Sequence, residues 1–381
     1  MSTETAPTDT TTVTKDDVVL AEANPQQRKL TWELNGASWA GPMSLEEYIG
    51  REQTLSETTL SANGGTRYFV LHHRSDPTQI VSACEVLVKR ALVITSSSSE
   101  PRIVTSYGIA SVFTPPAFRG RGLATHMLRL VQDATDNTLG CEFGALYSDI
   151  GRSFYTRLGW PDFPSPQVTI QVQPGYNNPT GNSSEAQRET VLLTDDDIPA
   201  LCARDCEQLQ SRLAKLALND DGDGKKYVAF MPDHAQISWH FTRASYVARV
   251  MREGREIKYR GARTADGDSW LYWDHDLREN KLKILRVVMI GEKRGGVAAA
   301  VKALLRAAVK EAQDWGLSKV LVWAPGDETS SAAVELWKEG AGKLAVVLDE
   351  REDGSIPSLR WKGGEDVGNV VWEANEYYAW C

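Results

Sequence analysis

The stretch PPAFRGRGLATHML, residues 115–128, gathers residue types that hold an anion. Proline ends a strand because it brings no N–H to a ladder. Gly120 and Gly122 let the backbone turn tightly and come close to a ligand. Leu123, Met127, Leu130, Val131 and Ala134 recur at helical spacing, so a helix is predicted to start directly after Gly122. Its first amides have no partner within the helix and carry the positive end of its dipole. Arg119 and Arg121 add charge, and Thr125 adds a hydroxyl in the first turn. A diphosphate suits such a site. The segment is not a Walker loop, which ends in Gly-Lys-Ser/Thr, and no G-x-G-x-x-G opens its helix.

Arg119-x-x-Gly122-x-Ala124 matches an R/Q-x-x-G-x-G/A pattern, set between a long β-rich run and SFYTRLGW at 153–160. In these features the chain resembles the GCN5-related N-acetyltransferase (GNAT) superfamily. The resemblance implies an α/β fold with a mixed sheet, and acetyl-CoA as acetyl donor. It implies that the loop from Arg119 through Gly120, Arg121, Gly122, Leu123 and Ala124 to Thr125 holds the pyrophosphate. Val112, Phe113 and Thr114 would then lie along the pantetheine arm, their backbone pairing with its amides like a neighbouring strand. Tyr155 matches the superfamily's acid, which protonates the departing thiolate. A phenol of ordinary pKa about 10 keeps its proton for that task at neutral pH. YSDIGRSFYTRLGW (147–160), SWHFTR (238–243) and NEYYAWC (375–381) are more specifically similar to the fungal L-lysine N6-acetyltransferases. That similarity implies transfer to the ε-amine of free L-lysine, in lysine catabolism. Another small amine, a protein lysine, or a non-catalytic acyl-CoA-binding regulator are the alternatives.

An ammonium acceptor must lose a proton, and the sequence offers several groups to take it. Glu85 lies on a strand that can face the sheet centre, Asp149 follows a short strand where it can also cap a helix, and His126 sits in the first turn beside the phosphates. The apolar end of the chain makes Cys381 a further catalytic candidate through its carboxylate, since some tandem members of the superfamily use theirs. Direct transfer from a lysine ammonium to such a group is uphill by roughly 9 kcal/mol. A water relay or an anchor for the acceptor is therefore the easier role. A free amino acid also needs a cation for its α-carboxylate, and the sequence does not single out which arginine.

The elements that must position these residues fall into two halves. Residues 16–172 read as helices, the second opening at Ser44 as N-cap, then a β meander and β-α-β-α-β with Val168–Val172 as last strand, the expected catalytic domain. Residues 173–190, QPGYNNPTGNSSEAQRET, have linker composition. Residues 191–381 repeat the plan, with Asp197–Leu218 and Thr242–Arg252 as its opening helices, which suggests a duplication with a degenerate second copy. Aligning Gly296 with Gly122 lays Lys293-x-x-Gly296-x-Ala298 over the loop, and Trp337 falls nearest to Tyr155. An indole N–H does not supply a proton to a thiolate at neutral pH. The first half is therefore expected to catalyse and the second to shape the acceptor pocket.

Composition narrows the partners. The net charge of -9 argues against a nucleic-acid or anionic-membrane surface. No apolar run has the length of a membrane span. Five scattered cysteines suit reduced thiols, and residues 1–15 read as a disordered, Thr-rich tail, so a cytoplasmic setting is expected. Asn219–Gly224 starts like a calcium loop, but its twelfth position is Phe230, so no metal is expected. The oligomeric state stays open.

Overall fold

The computed structural model describes residues 13–173, 190–220, 224–290, 297–340 and 342–380. In the first half, β1 (Val18–Glu22) is followed by α1 (Pro25–Trp39) and α2 (Leu45–Ser56). Asn24 and Ser44 cap these helices by accepting from the amides of Gln27 and Glu47. A meander follows: β2 (Thr66–His73), β3 (Asp76–Thr95) and β4 (Arg102–Phe113). Then come α3 (Leu123–Asn137), β5 (Phe143–Ser148), the single-turn α4 (Ser153–Thr156) and β6 (Pro166–Val172).

The second half opens with β7 (Thr190–Leu193), α5 (Ile198–Leu218), β8 (Lys226–Phe230) and α6 (His234–Met251). The meander β9 (Gly261–Thr264), β10 (Ser269–Asp276) and β11 (Lys281–Met289) leads to α7 (Val297–Asp314), β12 (Lys319–Trp323) and α8 (Asp327–Glu339). The chain closes with β13 (Leu344–Glu350), β14 (Ile356–Trp361) and β15 (Val370–Trp372).

Two mixed sheets result. One runs β1-β2-β3-β4-β5-β14, with β8 attached to β3 and β15 to β8. The other runs β13-β6-β12-β11-β10-β9-β7. The halves therefore exchange strands. β14 pairs with β5 from Ile356↔Ser148 to Trp361↔Phe143, and β6 lies between β12 and β13. The sequence reading had Val168–Val172 as the last strand of the first half; its hydrogen bonds are all to the second sheet. Strand pairing is set by partners far along the chain, which local pattern does not reveal.

α3 packs its Leu123, Met127, Leu128 and Val131 on one face of the first sheet, beside Val86, Tyr107 and Leu146. The opposite face of β3 and β4 meets α2, α6 and the end of the chain through Leu55, Leu87, Ala110, Trp239 and Trp380. Burial of these apolar faces, at about 25 cal/mol per Å², holds the layers together.

Candidate functional site

β4 and β5 run parallel and pair only over Tyr107↔Gly144, Gly108↔Ala145 and Ile109↔Leu146. β4 nevertheless continues to Phe113 and β5 to Ser148, so the two strands part and leave a wedge. Gly144 permits the close pairing below the wedge: a Cβ there would sit 2.3 Å from the Tyr107 ring. At the mouth, the register between β3 and β4 shifts from Glu85↔Ala110 to Ala83↔Phe113. Two residues, Ser111 and Val112, thus oppose one, and Ser111 has φ 53°, which marks a bulge. Phe113 is buried edge-on against Trp39, and its carbonyl accepts from the Ser82 hydroxyl at 3.1 Å. The Thr114 hydroxyl lies 2.9 Å from the same Ser82.

The glycine loop closes the far end of the wedge. Gly120 and Gly122 have φ 77° and 71°, so both need the freedom that the sequence reading gave them. Gly122 is the N-cap of α3 and brings no side-chain acceptor, so the N–H groups of Leu123, Ala124 and Thr125 keep no cap. Buried Leu123 anchors the helix start in the core. Arg119 folds back: its Nε donates to the Thr114 carbonyl at 2.9 Å and its guanidinium lies 5.7 Å from the Phe113 ring. It braces the loop against the end of β4. Arg121 lies over Phe118 at 6.0 Å. Lys15 Nζ comes within 3.9 Å of where a Gly122 Cβ would stand, so this residue of the expected disordered tail adds a cation to the loop. One signal could have found it. Thr14-x-x-Asp17 is a capping box, with the Thr14 amide donating to Asp17 Oδ2 at 2.9 Å.

Tyr155 sits on α4, only 7% exposed, in the cluster that also holds Cys84, Leu123, Leu146 and Val112. Gly159 turns the chain at φ 84°, and the amides of Leu158 and Trp160 both bond the Tyr155 carbonyl. Burial, then the nearby Cys84 and Asp149, push the phenol well above its ordinary value. It therefore stays protonated across the neutral range. Glu85 lies on the opposite face of β3, paired across to Tyr68 and Ala110, and is partly exposed. Burial and then Glu52 push its carboxyl up to about 8, while Arg51, Ser111 and Trp32 pull the other way. Asp149 does not cap α4. Its Oδ1 accepts from the Ser355 amide at 2.7 Å and ties β5 to the β13–β14 turn. His126 is partly buried in the first turn of α3, next to the glycine loop.

A cavity of about 780 Å³ opens between the halves. Asp149, Arg243, Asp276, Trp323, Tyr377 and Trp380 line it, and in all seven of its lining residues are acidic against four basic. Burial would raise the Asp276 carboxyl, but Lys283 and Arg243 outweigh it and hold the group well below the usual range. Cys381 lies outside the described residues. The segment before it is fixed: the Tyr378 carbonyl accepts from Gln236 Nε2 at 2.7 Å, and the Ala379 carbonyl from Lys89 Nζ at 2.8 Å. Burial holds His240 neutral, down at about 3, so its Nε2, 3.0 Å from the Tyr378 carbonyl, is the donor there.

The second half repeats the wedge and fills it. β11 and β12 pair in parallel from Lys281↔Lys319 to Ile284↔Val322, where the alignment on Gly122 and Gly296 puts Tyr107 to Ile109 over Lys281 to Lys283. Beyond, the Val287 amide, aligned with Phe113, donates to Glu376 Oε1 at 3.0 Å. Tyr377 stacks on Trp323 at 3.9 Å. Arg286 pairs with Glu376 and, at 2.9 Å, with Asp205. The chain's own end thus occupies this wedge. Trp337 is 46% exposed on α8 and does not occupy the place of Tyr155. Residues 293–296 lie outside the described residues.

This pair of wedged mixed sheets is a tandem GNAT fold. Solved structures of similar shape include a GCN5-related N-acetyltransferase from Kribbella flavida, at TM-score 0.53 and 13% identity over 91% of this chain and 72% of that one. A probable N-acyltransferase from Enterococcus faecalis matches at TM-score 0.53 and 10% identity, over 91% and 73%. The family described as LYC1 GNAT-like C-terminal domain matches residues 176–381, and the chain belongs to it. Among curated proteins, an uncharacterized protein of Saccharomyces cerevisiae is 24% identical over 97% of this chain and all of its own length. A lysine acetyltransferase of Yarrowia lipolytica is 23% identical over 79% of this chain and 82% of its own. The protein is an acetyltransferase of GNAT type.

Proposed function

We propose that the protein moves the acetyl group of acetyl-CoA to the ε-amine of free L-lysine, using the first-half wedge. The observation that carries this reading is the parting of β4 and β5 between an uncapped helix start and a buried phenol. The first-half residues fit the coenzyme. Gly120 and Gly122 expose backbone where no side-chain cap competes, and Lys15 and Arg121 bring positive charge. Val112, Phe113 and Thr114 offer main-chain groups along the bulged edge. Acetyl-CoA supplies an activated carbonyl and a thiolate leaving group.

The chain's own residues handle the protons. The Glu85 carboxylate takes one from the ammonium, so that the nitrogen lone pair is free to attack. The nitrogen bonds the acetyl carbon, the Tyr155 hydroxyl gives a proton to the sulfur as the C–S bond breaks, and the proton that the attacking nitrogen still sheds restores the phenol through solvent. The acidic cavity draws the cationic acceptor in, and the relative in Yarrowia, named a lysine acetyltransferase, favours lysine among such amines. Four described cysteines are buried and unpaired, which fits a reducing, cytoplasmic setting.

The test is an acceptor screen with acetyl-CoA fixed: L-lysine, polyamines, aminosugars and lysine peptides. L-Lysine is expected to give the highest kcat/KM, and Tyr155→Phe to lower kcat by about 10²-fold with the melting temperature unchanged. A better acceptor than lysine would replace the substrate. Unchanged turnover in Tyr155→Phe would remove the acid, and coenzyme binding without turnover on any amine would support a regulator instead.

A further inference from the structure

Arg243 and Asp276 are both reached from the large cavity, and Trp380 lies beside them. The Arg243 guanidinium stands 5.4 Å from the Trp380 ring and is partly exposed. No ion pair or hydrogen bond joins it to a described residue. Asp276 is 8% exposed; its Oδ1 accepts from the Glu279 amide at 3.2 Å and its Oδ2 lies 3.5 Å from Lys283 Nζ. The other cations of the cavity are differently placed. Lys281 pairs with Glu279 at 2.5 Å. Arg351 stands 3.9 Å from the Trp323 ring and gives Nη2 to the Ser355 carbonyl, with its Nε and Nη1 buried against the protein. Lys319, from β12, offers a point charge rather than a planar fork.

A planar guanidinium beside an ionised carboxylate matches one head group well: a carboxylate and an ammonium on the same carbon. The position suits it too. Trp380 touches both Arg243 and the cluster containing Ala110, the residue before the bulge. Glu52, whose charge acts on Glu85, also acts on Arg243. A molecule lying along Trp380 with its head at Arg243 thus directs its tail toward Ser111 and Glu85.

We propose that Arg243 and Asp276 form an α-amino-acid head-group subsite, Arg243 holding the α-carboxylate and Asp276 the α-ammonium, so that the acceptor is a free diamino acid rather than a simple diamine or a peptide-bound lysine. This rests on the acetyl-transfer reading for its catalytic consequence but not for binding. Peptide bonds on both sides of a lysine remove the two charges the subsite reads.

The experiment combines turnover and binding. With acetyl-CoA saturating, wild-type kcat/KM for L-lysine is expected to exceed that for cadaverine, which lacks only the carboxylate, by tenfold or more. Arg243→Met is expected to raise KM for L-lysine at least tenfold, with cadaverine changed less than twofold, and Arg243→Lys to recover part of the loss. Calorimetry with L-norleucine, which carries the head group without the ε-amine, gives a readout independent of turnover. Its binding is expected in the wild type and lost in Arg243→Met. Equal handling of lysine and cadaverine by the wild type overturns the subsite, as does an equal loss for both in Arg243→Met. Absent turnover on every amine, with Arg243-dependent norleucine binding intact, overturns acetyl transfer and keeps the subsite. Should Arg243→Met melt early, the wild-type lysine-to-cadaverine ratio and norleucine affinity decide alone.

Discussion

Glu85→Gln separates two consequences of one carboxyl on β3. In the folded chain burial raises Glu85 from 4.5 to about 8, so at pH 7 about one-tenth of the molecules carry the ionised base. The kcat for lysine should then climb about tenfold between pH 7 and a plateau above pH 9. No descending limb is expected near neutrality, because Tyr155 is pushed upward and stays protonated. Glu85→Gln should abolish the limb and lower the plateau by about 10²-fold or more. Stability should move the opposite way. A folded value above the unfolded one means the neutral carboxyl is tolerated fully below about 4.5 and its contribution is lost as pH rises through 8. The variant cannot ionise. It should lie within about 1 kcal/mol of wild type at pH 5 and exceed it at pH 9 by at most about 5 kcal/mol, less where solvent reaches the carboxylate. Stopped or continuous thiol-release assays over pH 6–10 and urea unfolding at the two pH values measure both arms. A flat wild-type kcat profile, or the same limb in Glu85→Gln, would refute Glu85 as the base.

Other perturbations probe the remaining parts. Gly122→Ala places a side chain at φ 71°, a left-handed conformation that disfavours alanine by about 1–2 kcal/mol, and should raise KM for acetyl-CoA at least fivefold without changing KM for lysine. Glu376→Ala strips Arg286 of one partner and leaves the Val287 amide unpaired, so urea unfolding should register a loss of about 3–5 kcal/mol. Titration of the wild type with CoA should give one site per chain, since the second wedge holds Glu376 and Tyr377; two equivalent sites would contradict that occupancy.

Local grammar made much of this molecule readable. The loop helix begins at Leu123 as its apolar spacing required, and Ser44 caps α2 as its position before that helix suggested. β4 runs to Phe113 and stops at the prolines. Where several elements must meet, the sequence was silent. The meeting of Arg243, Asp276 and Trp380 joins α6, the end of β10 and the end of the chain. β8 carries little local signal, because KYVAF is short and follows a polar loop, and its partner β3 lies far away in sequence. α6 starts eight residues earlier than its apolar pattern indicated, at His234, where Asp233 accepts from the Gln236 amide. Glu85 could be placed on a strand from its neighbours, but its value near 8 depends on Glu52 and burial that no local pattern carries.

The crossed placement of β6 and β14 has a wider result. Neither half owns a complete sheet, so hydrolysis of a peptide bond between residues 173 and 190 would leave two fragments still clasped, each finishing the other's fold. Deletion of residues 191–381 would strip β14 from the first sheet, leave the edge of β5 bare, and take away both neighbours of β6.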